Sequence, residues 1–485
     1  MEKTQPTINC YLPFQSEEQV ALTLENLKRE PLVKDISFLN GNIADMSNIK
    51  MLVAHARTAD YTLLYTKYTT LSLVQFALER MLQIMEDTDA AMVYADHFNV
   101  IEKDSEQFET PAPVIDYQQG SLRDDFDFGS VWLLSNRKLS HIFDDAEPQE
   151  LRYAGLYFMR LQLSRLGKLV HINEYLYYDI EQDTRRSGEK LFDYVNPKNR
   201  DVQIEMEQVC TAYLKQIGGY LTPEFQAIDF NSEPFEYDAS VIIPCKNRVR
   251  TIGDAIRSAI KQKVQDGVKF NIIVVDDNST DGTVDVIKSF LNDDRVVYIA
   301  QDKSWHGIGG NWNAALHHPK CGRFALQLDS DDVYSDEHTV QRFIDAFYQQ
   351  QCAMVVGTYC ITDFSLNTLP PGVIDHREWT ADNGRNNALR INGLGAPRGF
   401  YTPLVRQLTF PTTKYGEDYA VALRISRNYQ IGRIYDVMYY CRRWEDNSDA
   451  NCDTEAMNRN NLYKDRIRTW ELQARIKKNA LQPTT

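Results

Sequence analysis

The chain is poor in several things, and each absence narrows what it can be. No window approaches 18 uninterrupted apolar residues, so no transmembrane helix is expected. The opening Met1-Glu2-Lys3-Thr4-Gln5-Pro6 has no basic stretch followed by an apolar one, so it does not read as a secretory signal. The expected location is therefore cytoplasmic, with peripheral contact to a membrane left open. The eight cysteines (Cys10, Cys210, Cys245, Cys321, Cys352, Cys360, Cys441 and Cys452) are scattered and include no Cys-x-x-Cys pair. No zinc site is expected, and buried or inert thiols are the plain reading. Positive charge is also scarce: 53 Lys and Arg against 68 Asp and Glu leave a net charge of −15. That argues against nucleic acid as a partner, because phosphate backbones demand clustered Lys and Arg. An anionic ligand would need compensation by a metal or a few placed basic groups. His55, His97, His141 and His171 stand apart from one another, so structural roles are expected for them. His306, beside a Gly-rich stretch, is the histidine to watch.

What is present centres on Leu326-Gln327-Leu328-Asp329-Ser330-Asp331-Asp332. An apolar run, 323–328, leads into three carboxylates within four residues. A second pair, Asp276-Asp277, follows the apolar run 271–275. Strands are expected over 239–243, 271–275, 296–300 and 323–328. Helices are expected over 250–263, from the turn at Asn278–Gly282 to Phe290, over 311–316 and over 336–350. A loop bearing Gly307, Gly309 and Gly310 is expected before the third of these helices. Strands alternating with helices imply a mainly parallel α/β sheet. Ligands of such sheets sit beyond the carboxyl ends of the strands, where both acidic clusters fall.

The first half repeats the rhythm. Tyr61–Tyr65 resembles Phe324–Leu328, Ala91–Tyr94 resembles Ala353–Val356, and Glu174–Tyr178 resembles Asp436–Tyr440, at an offset of about 262 residues. The charges do not repeat. Asn40-Gly41 stands for Asp276-Asp277, Thr66–Thr69 for Asp329–Asp331, and Gly155-Leu156 for Glu417-Asp418. Four segments are expected: a degenerate, non-catalytic domain over 1–221, a linker over 222–236, a catalytic domain over 237–453 and a charged helical tail over 454–485. The tail reads as a solvated or capping helix rather than a basic binding arm.

Four motifs then fall in order: Ser240–Asn247 with Pro244, Ile273–Gly282 with Asp276-Asp277, Leu328–Asp332, and Gly416-Glu417-Asp418-Tyr419. Together they resemble glycosyltransferase family 2 over roughly residues 237–450. That resemblance implies tandem GT-A domains, the first degenerate, and transfer with inversion from a nucleotide-diphosphate sugar, a UDP-sugar being favoured. It places one of Asp276 and Asp277 against the base, with the other supporting the loop, and Pro244 where backbone meets the base. It makes Asp331 the metal contact and sets Asp329 at the ribose or a metal water. It makes Asp418, beside Glu417, the general base. Gly395 falls in the segment that binds acceptor and donor sugar. Trp444 stands where many relatives place a metal-binding His, and Trp312 replaces an expected Arg.

The physical reading agrees. A departing diphosphate leaves negative charge that a divalent ion can bridge. Mn²⁺ or Mg²⁺ prefers carboxylate and water ligands. Displacement at the anomeric carbon needs a base for the acceptor proton. Lys246, Arg248 and Arg443 are candidate counter-charges. Each feature also has a plainer reading: Asp329–Asp332 as a capping turn, Glu417-Asp418 as a helix-start pair favoured by the macrodipole, and Asn392–Phe400 as a Gly-rich connection. The expected acceptor is a glycan, lipid or protein, and homo-oligomers are compatible. Two rivals stand beside this: a sugar-nucleotide nucleotidyltransferase, disfavoured by Pro244-Cys245-Lys246 where a Gly-rich basic loop belongs, and a non-catalytic carbohydrate-binding scaffold.

Overall fold

The computed structural model describes residues 5–103, 106–146, 150–180, 197–301, 307–444, 447 and 452–481. His306 lies outside them. The chain divides into two compact units. The first comprises Met1–Lys190, Asp201–Ile217 and Asn451–Thr469. The second comprises Leu191–Arg200, Gly218–Ala450 and Trp470–Thr485. Among the described residues no helix is long and apolar enough to cross a membrane.

The first unit is built on one sheet of β1 (Ile8–Pro13), β2 (Val33–Leu39), β3 (Tyr61–Tyr65), β4 (Ser72–Leu73), β5 (Met92–Lys103), β6 (Glu106–Ala112), β7 (Val131–Ser135) and β8 (Leu169–Ile180). Its order is β2-β1-β3-β7-β5-β8-β4, with β6 on β5. The second unit holds β9 (Ala239–Cys245), β10 (Phe270–Asp276), β11 (Val296–Ala300), β12 (Phe324–Gln327), β13 (Val333–Tyr334), β14 (Met354–Thr362), β15 (Thr368–Ile374), β16 (Arg398–Tyr401) and β17 (Ile431–Arg442). Its order is β11-β10-β9-β12-β16-β14-β17-β13, with β15 on β14. The two orders coincide strand for strand, except that β11 has no counterpart in the first sheet. The fold is thus two tandem α/β units, each with a parallel half joined through an antiparallel strand (β7 or β16) to a second parallel pair. Even the register repeats: Met92 pairs with Leu169 as Met354 pairs with Ile431.

Local chemistry explains the central strands. Every residue of β9 and β10 is buried, as expected when helices cover both faces of a parallel sheet. The helix Ile252–Ile260 buries Ile252, Ala255, Ile256 and Ala259, a stripe of helical period. The helix Thr339–Gln350 does the same with Val340, Phe343, Ile344 and Phe347. Residues 222–236 carry no strand or helix. They are anchored on the second unit by Phe230, whose ring centroid lies 5.3 Å from those of Phe324 and Tyr401. Burying such a ring contributes roughly 1.5–3 kcal/mol.

Two expectations change. The Gly307–Gly310 stretch is not a loop: the helix Gly307–Leu316 begins there. A Cβ at Gly309 would lie 1.9 Å from the Pro411 carbonyl oxygen. The glycines therefore admit a neighbouring backbone, and that close approach is what periodicity alone does not reveal. The charged helix Thr454–Leu481 is also not simply solvated. Arg468 pairs with Asp465 at 2.8 Å in the first unit, and Arg475 with Glu471 at 2.8 Å in the second, all four buried. Helical spacing lets these charges satisfy one another.

Candidate active site

The site in the second unit is built at the carboxyl ends of β9, β10, β12 and β17. Pro244 lies in β9 beside Val275 of β10. Asp276 closes β10; it is buried, and its carboxylate accepts the Ser279 N–H at 3.2 Å. That bond shapes the turn after the strand. Asp277 is tied by its own N–H to the Cys245 carbonyl at 2.9 Å. Its carboxylate stands 3.3 Å from the Lys246 ammonium, which is well exposed.

After β12 the chain presents its acids in different surroundings. Asp329 takes the Gln327 amide on both oxygens at 3.0 Å. Its N–H donates to the Tyr439 hydroxyl at 3.0 Å. Burial raises the Asp329 carboxyl above its ordinary range; the Gln327 bond opposes this and the Asp331 charge reinforces it. Asp332 is buried and accepts the Arg442 N–H at 2.7 Å. Burial, then Asp331 and Asp329, push its carboxyl well above the usual range. The next helix starts only at Thr339, so Asp332 joins β17 instead of capping a helix. Asp331 is partly exposed. Its Oδ2 collects the Trp444 indole N–H at 3.1 Å, the Asn447 amide at 3.3 Å and the Arg248 guanidinium at 3.8 Å. Arg248 and Arg250 both lie over the Trp444 ring, at 5.8 and 5.1 Å from its centroid.

Across the site, the helix Glu417–Ser426 opens on Gly416 at φ 77°, a left-handed turn. Glu417 is buried. Burial first, and then the adjacent Asp418 charge, push its carboxyl up to about 8. Asp418 Oδ2 meets Arg398 Nη2 at 2.5 Å. Arg398 reaches Gln327 Oε1 through both its backbone N–H and Nη1, at 3.2 Å each. Gln327 thus links Asp329 on one side to Arg398 and Asp418 on the other.

Asp329, Asp331, Glu417 and Asp418 therefore share one neighbourhood. Other candidates are set differently. Gly395 faces the buried His376, where a Cβ would lie 2.4 Å from Nε2; a packed imidazole accounts for that glycine. Arg443 ties its backbone N–H to the Thr362 carbonyl at 2.8 Å. It is Arg442 whose Nε reaches the Asp331 carbonyl, at 2.5 Å, and whose Nη1 reaches Asp254 at 3.0 Å. Trp312 is buried against Phe410, centroids 5.2 Å apart, and takes no part in the acid cluster. Arg398, Gln327 and Tyr439 are the groups that sequence reasoning did not single out. Arg398 stood inside the quoted Asn392–Phe400 segment, but no spacing rule pairs it with residue 418.

Among the described residues no group of three or more His, Cys, Asp and Glu forms a metal cluster. The donors nevertheless suit a divalent ion that keeps most of its ligands as water and phosphate. The Asp331 charge adds to the cost of ionising Asp329, and the Asp331 contacts converge on a single oxygen.

Residues 240–393 match the family model for glycosyl transferase family 2. Over 247 residues the chain is 24% identical to UDP-Glc:alpha-D-GlcNAc-diphosphoundecaprenol beta-1,3-glucosyltransferase of Escherichia coli, covering 51% of this chain and 89% of that protein. It is 25% identical over 211 residues to poly(ribitol-phosphate) beta-glucosyltransferase of Bacillus spizizenii, covering 42% of this chain. It is 38% identical over 94 residues to GalNAc(5)-diNAcBac-PP-undecaprenol beta-1,3-glucosyltransferase of Campylobacter jejuni, covering 19% of this chain. The match spans only 32% and 29% of the lengths of these last two proteins. Among solved structures, S. aureus TarS in complex with UDP-GlcNAc aligns with a TM-score of 0.39 and 21% identity, over 49% of this chain and 72% of that one. The stretch 240–393, about a third of the chain, is thus similar to glycosyltransferase family 2.

Proposed function

We propose that the chain is a metal-dependent inverting glycosyltransferase that moves a sugar from a UDP-sugar to a hydroxyl of a glycan or lipid-linked glycan acceptor. The observation that carries this reading is the bridge Asp329–Gln327–Arg398–Asp418. It joins the acids after β12 to the acid of the Gly416 turn, and it begins within the stretch matched by the family model. The donor class is supported by the E. coli relative, whose name gives UDP-Glc as donor and a diphosphoundecaprenol-linked GlcNAc as acceptor.

In this reading Asp277 faces the nucleoside while Asp276 holds the turn beneath it. Asp331, with Asp329 behind it, would hold Mn²⁺ or Mg²⁺, whose chemistry there is to neutralise the departing diphosphate. Lys246, beside Asp277, and Arg248, beside Asp331, supply further positive charge for the diphosphate. The acceptor oxygen attacks the anomeric carbon as the bond to the diphosphate breaks. Asp418 takes the acceptor proton. Glu417, pushed up to about 8, keeps its own proton at neutral pH, and Asp418 is the member of the pair that meets Arg398. In the first unit the positions matching Asp329–Asp331 and Glu417-Asp418 are Thr66–Thr69 and Gly155-Leu156, which carry no carboxylate. Lys67 there pairs with the buried Asp179 at 2.9 Å, and we assign that unit a non-catalytic role.

The test is a thermal-shift and turnover screen of UDP- and GDP-sugars with and without Mn²⁺. Stabilisation and nucleotide release that need both a UDP-sugar and the metal are expected. Equal responses without metal, or release of pyrophosphate from a nucleoside triphosphate and a sugar phosphate, would sink the proposal.

A further inference from the structure

The first unit contains a cavity of about 930 Å³ where β8 begins, within the size range of ligand pockets. Its wall includes Asp116, Tyr117, Arg165, Lys168, His171 and Tyr213. It is not the remnant of a donor site. In the second unit the acids gather at the far end of β17, and the matching end of β8 is closed by the Lys67–Asp179 pair. The cavity lies at the opposite end of that strand.

Its distinctive feature is a carboxylate held in place. The Asp116 side chain is 79% exposed, yet it meets His171 Nδ1 at 2.9 Å. His171 is almost buried, and its Nε2 meets Asp96 at 2.8 Å. Asp96 in turn accepts the Val114 N–H at 2.8 Å. Tyr94 stacks on the imidazole, ring centroids 5.3 Å apart. Burial opposes the imidazolium, but the hydrogen bonds to Asp96 and Asp116 outweigh it and hold the His171 pKa above its ordinary value. An exposed aspartate left to itself samples several rotamers; this one is pre-organised from behind.

The fold does not require the arrangement. In the second sheet the residue at the same register as His171 is Arg433. Arg433 is buried and donates to the carbonyls of Asp375 and His376. A structural element that another chemistry satisfies equally well points to ligand as the reason for Asp116 and His171.

We propose that this cavity binds a neutral oligosaccharide, with Asp116 accepting sugar hydroxyls, Arg165 and Lys168 donating to them, and Tyr117, backed by Phe126 and Phe128, forming part of the wall. A fixed carboxylate suits vicinal hydroxyls, and Arg165 is paired with Asp145 at 3.2 Å while His171 is paired with Asp96 and Asp116, so the lining favours a neutral glycan over an anion. The inference extends the glycosyltransferase reading by assigning the first unit a role in holding the acceptor chain, but the binding itself does not depend on turnover.

The experiment is an array of neutral oligosaccharides probed with the full chain, followed by titration of a retained sugar. Wild type and Asp331→Ala should retain the same sugars, while Asp116→Ala and Lys168→Ala should each weaken binding at least tenfold without changing the circular dichroism. No retained sugar, or retention lost only in Asp331→Ala, overturns the proposal. So does protection of the cavity by inorganic phosphate alone. Absence of donor turnover with array binding intact would count against the proposed function and leave this site standing.

Discussion

Asp418 and Arg398 form an ion pair of 2.5 Å at a partly buried position, with side chains 22% and 14% exposed. The pair sets the direction of one Asp418 oxygen. It also ties that oxygen, through Gln327, to the acids after β12. A proton acceptor must be aimed before its basicity matters, so Arg398 is a positioning residue for the proposed base.

Replacing Arg398 tests this. Arg398→Ala is expected to lower kcat by about 10–100-fold with a smaller change in the donor KM, since the loss falls on orientation of the base. Arg398→Lys keeps the charge but loses the second donor, and should recover part of the rate. Steady-state kinetics on both variants decides it. Equal effects of Ala and Lys on kcat and KM would assign Arg398 to folding alone.

Asp418→Asn and Asp331→Ala should fail in different ways. The first keeps the shape of the turn and removes the proton acceptor, so UDP-sugar still stabilises the protein while transfer drops by about 10²–10⁴-fold. The second should abolish the Mn²⁺-dependent part of that stabilisation. Thermal shifts with UDP and Mn²⁺, run beside turnover, separate the two. Full transfer by Asp418→Asn would remove it as the base.

How much of this was legible depended on the distance over which each feature is encoded. The strands 239–243 and 271–275 read directly, because continuous apolar runs leave few alternatives, and the structure extends them by only one or two residues. The acids after β10 and β12 read equally well, because a strand end fixes where the next residues project. The tandem plan was visible as a repeated spacing, and the shared strand order follows it. Arg398, Gln327 and Tyr439 were not visible. Each acts across 70 or more residues or between strands of opposite direction, and no local period encodes such a contact. The glycines at 307–310 misled for the opposite reason: glycine suggests a loop, but here it makes room for a backbone.

Glu417 should make stability depend on pH. Its folded pKa, about 8, is raised above the ordinary value of 4.5. The folded state therefore holds this proton more tightly than the unfolded chain does. The associated stability is fully present below about pH 4.5 and is lost as pH rises through about 8, at up to about 1.4 kcal/mol per pH unit between those limits. Glu417→Gln mimics the protonated form and should flatten that slope. Urea unfolding at pH 6 and pH 9 is the check, and an unchanged slope in the variant would assign the dependence elsewhere.

The last expectation concerns the clamp beneath the Gly416 turn. Asn313 donates to the Phe410 carbonyl at 2.8 Å and accepts the Phe410 N–H at 2.9 Å, both bonds buried. Gly309 lets the Pro411 carbonyl approach to a distance no Cβ tolerates, 1.9 Å. These two contacts hold residues 410–413, which lead into Gly416, Glu417 and Asp418. Asn313→Ala leaves two buried backbone groups without partners and should cost about 1–3 kcal/mol for each. Gly309→Ala forces the 410–413 backbone outward and should displace the turn itself. In the proposed reading the donor is held by the acids after β10 and β12, which the 410–413 segment does not carry, so donor binding should suffer less than transfer. Comparing the UDP-sugar Kd with kcat in Gly309→Ala tests the separation. Parallel loss of both would mean that the clamp supports the whole domain and not the base in particular.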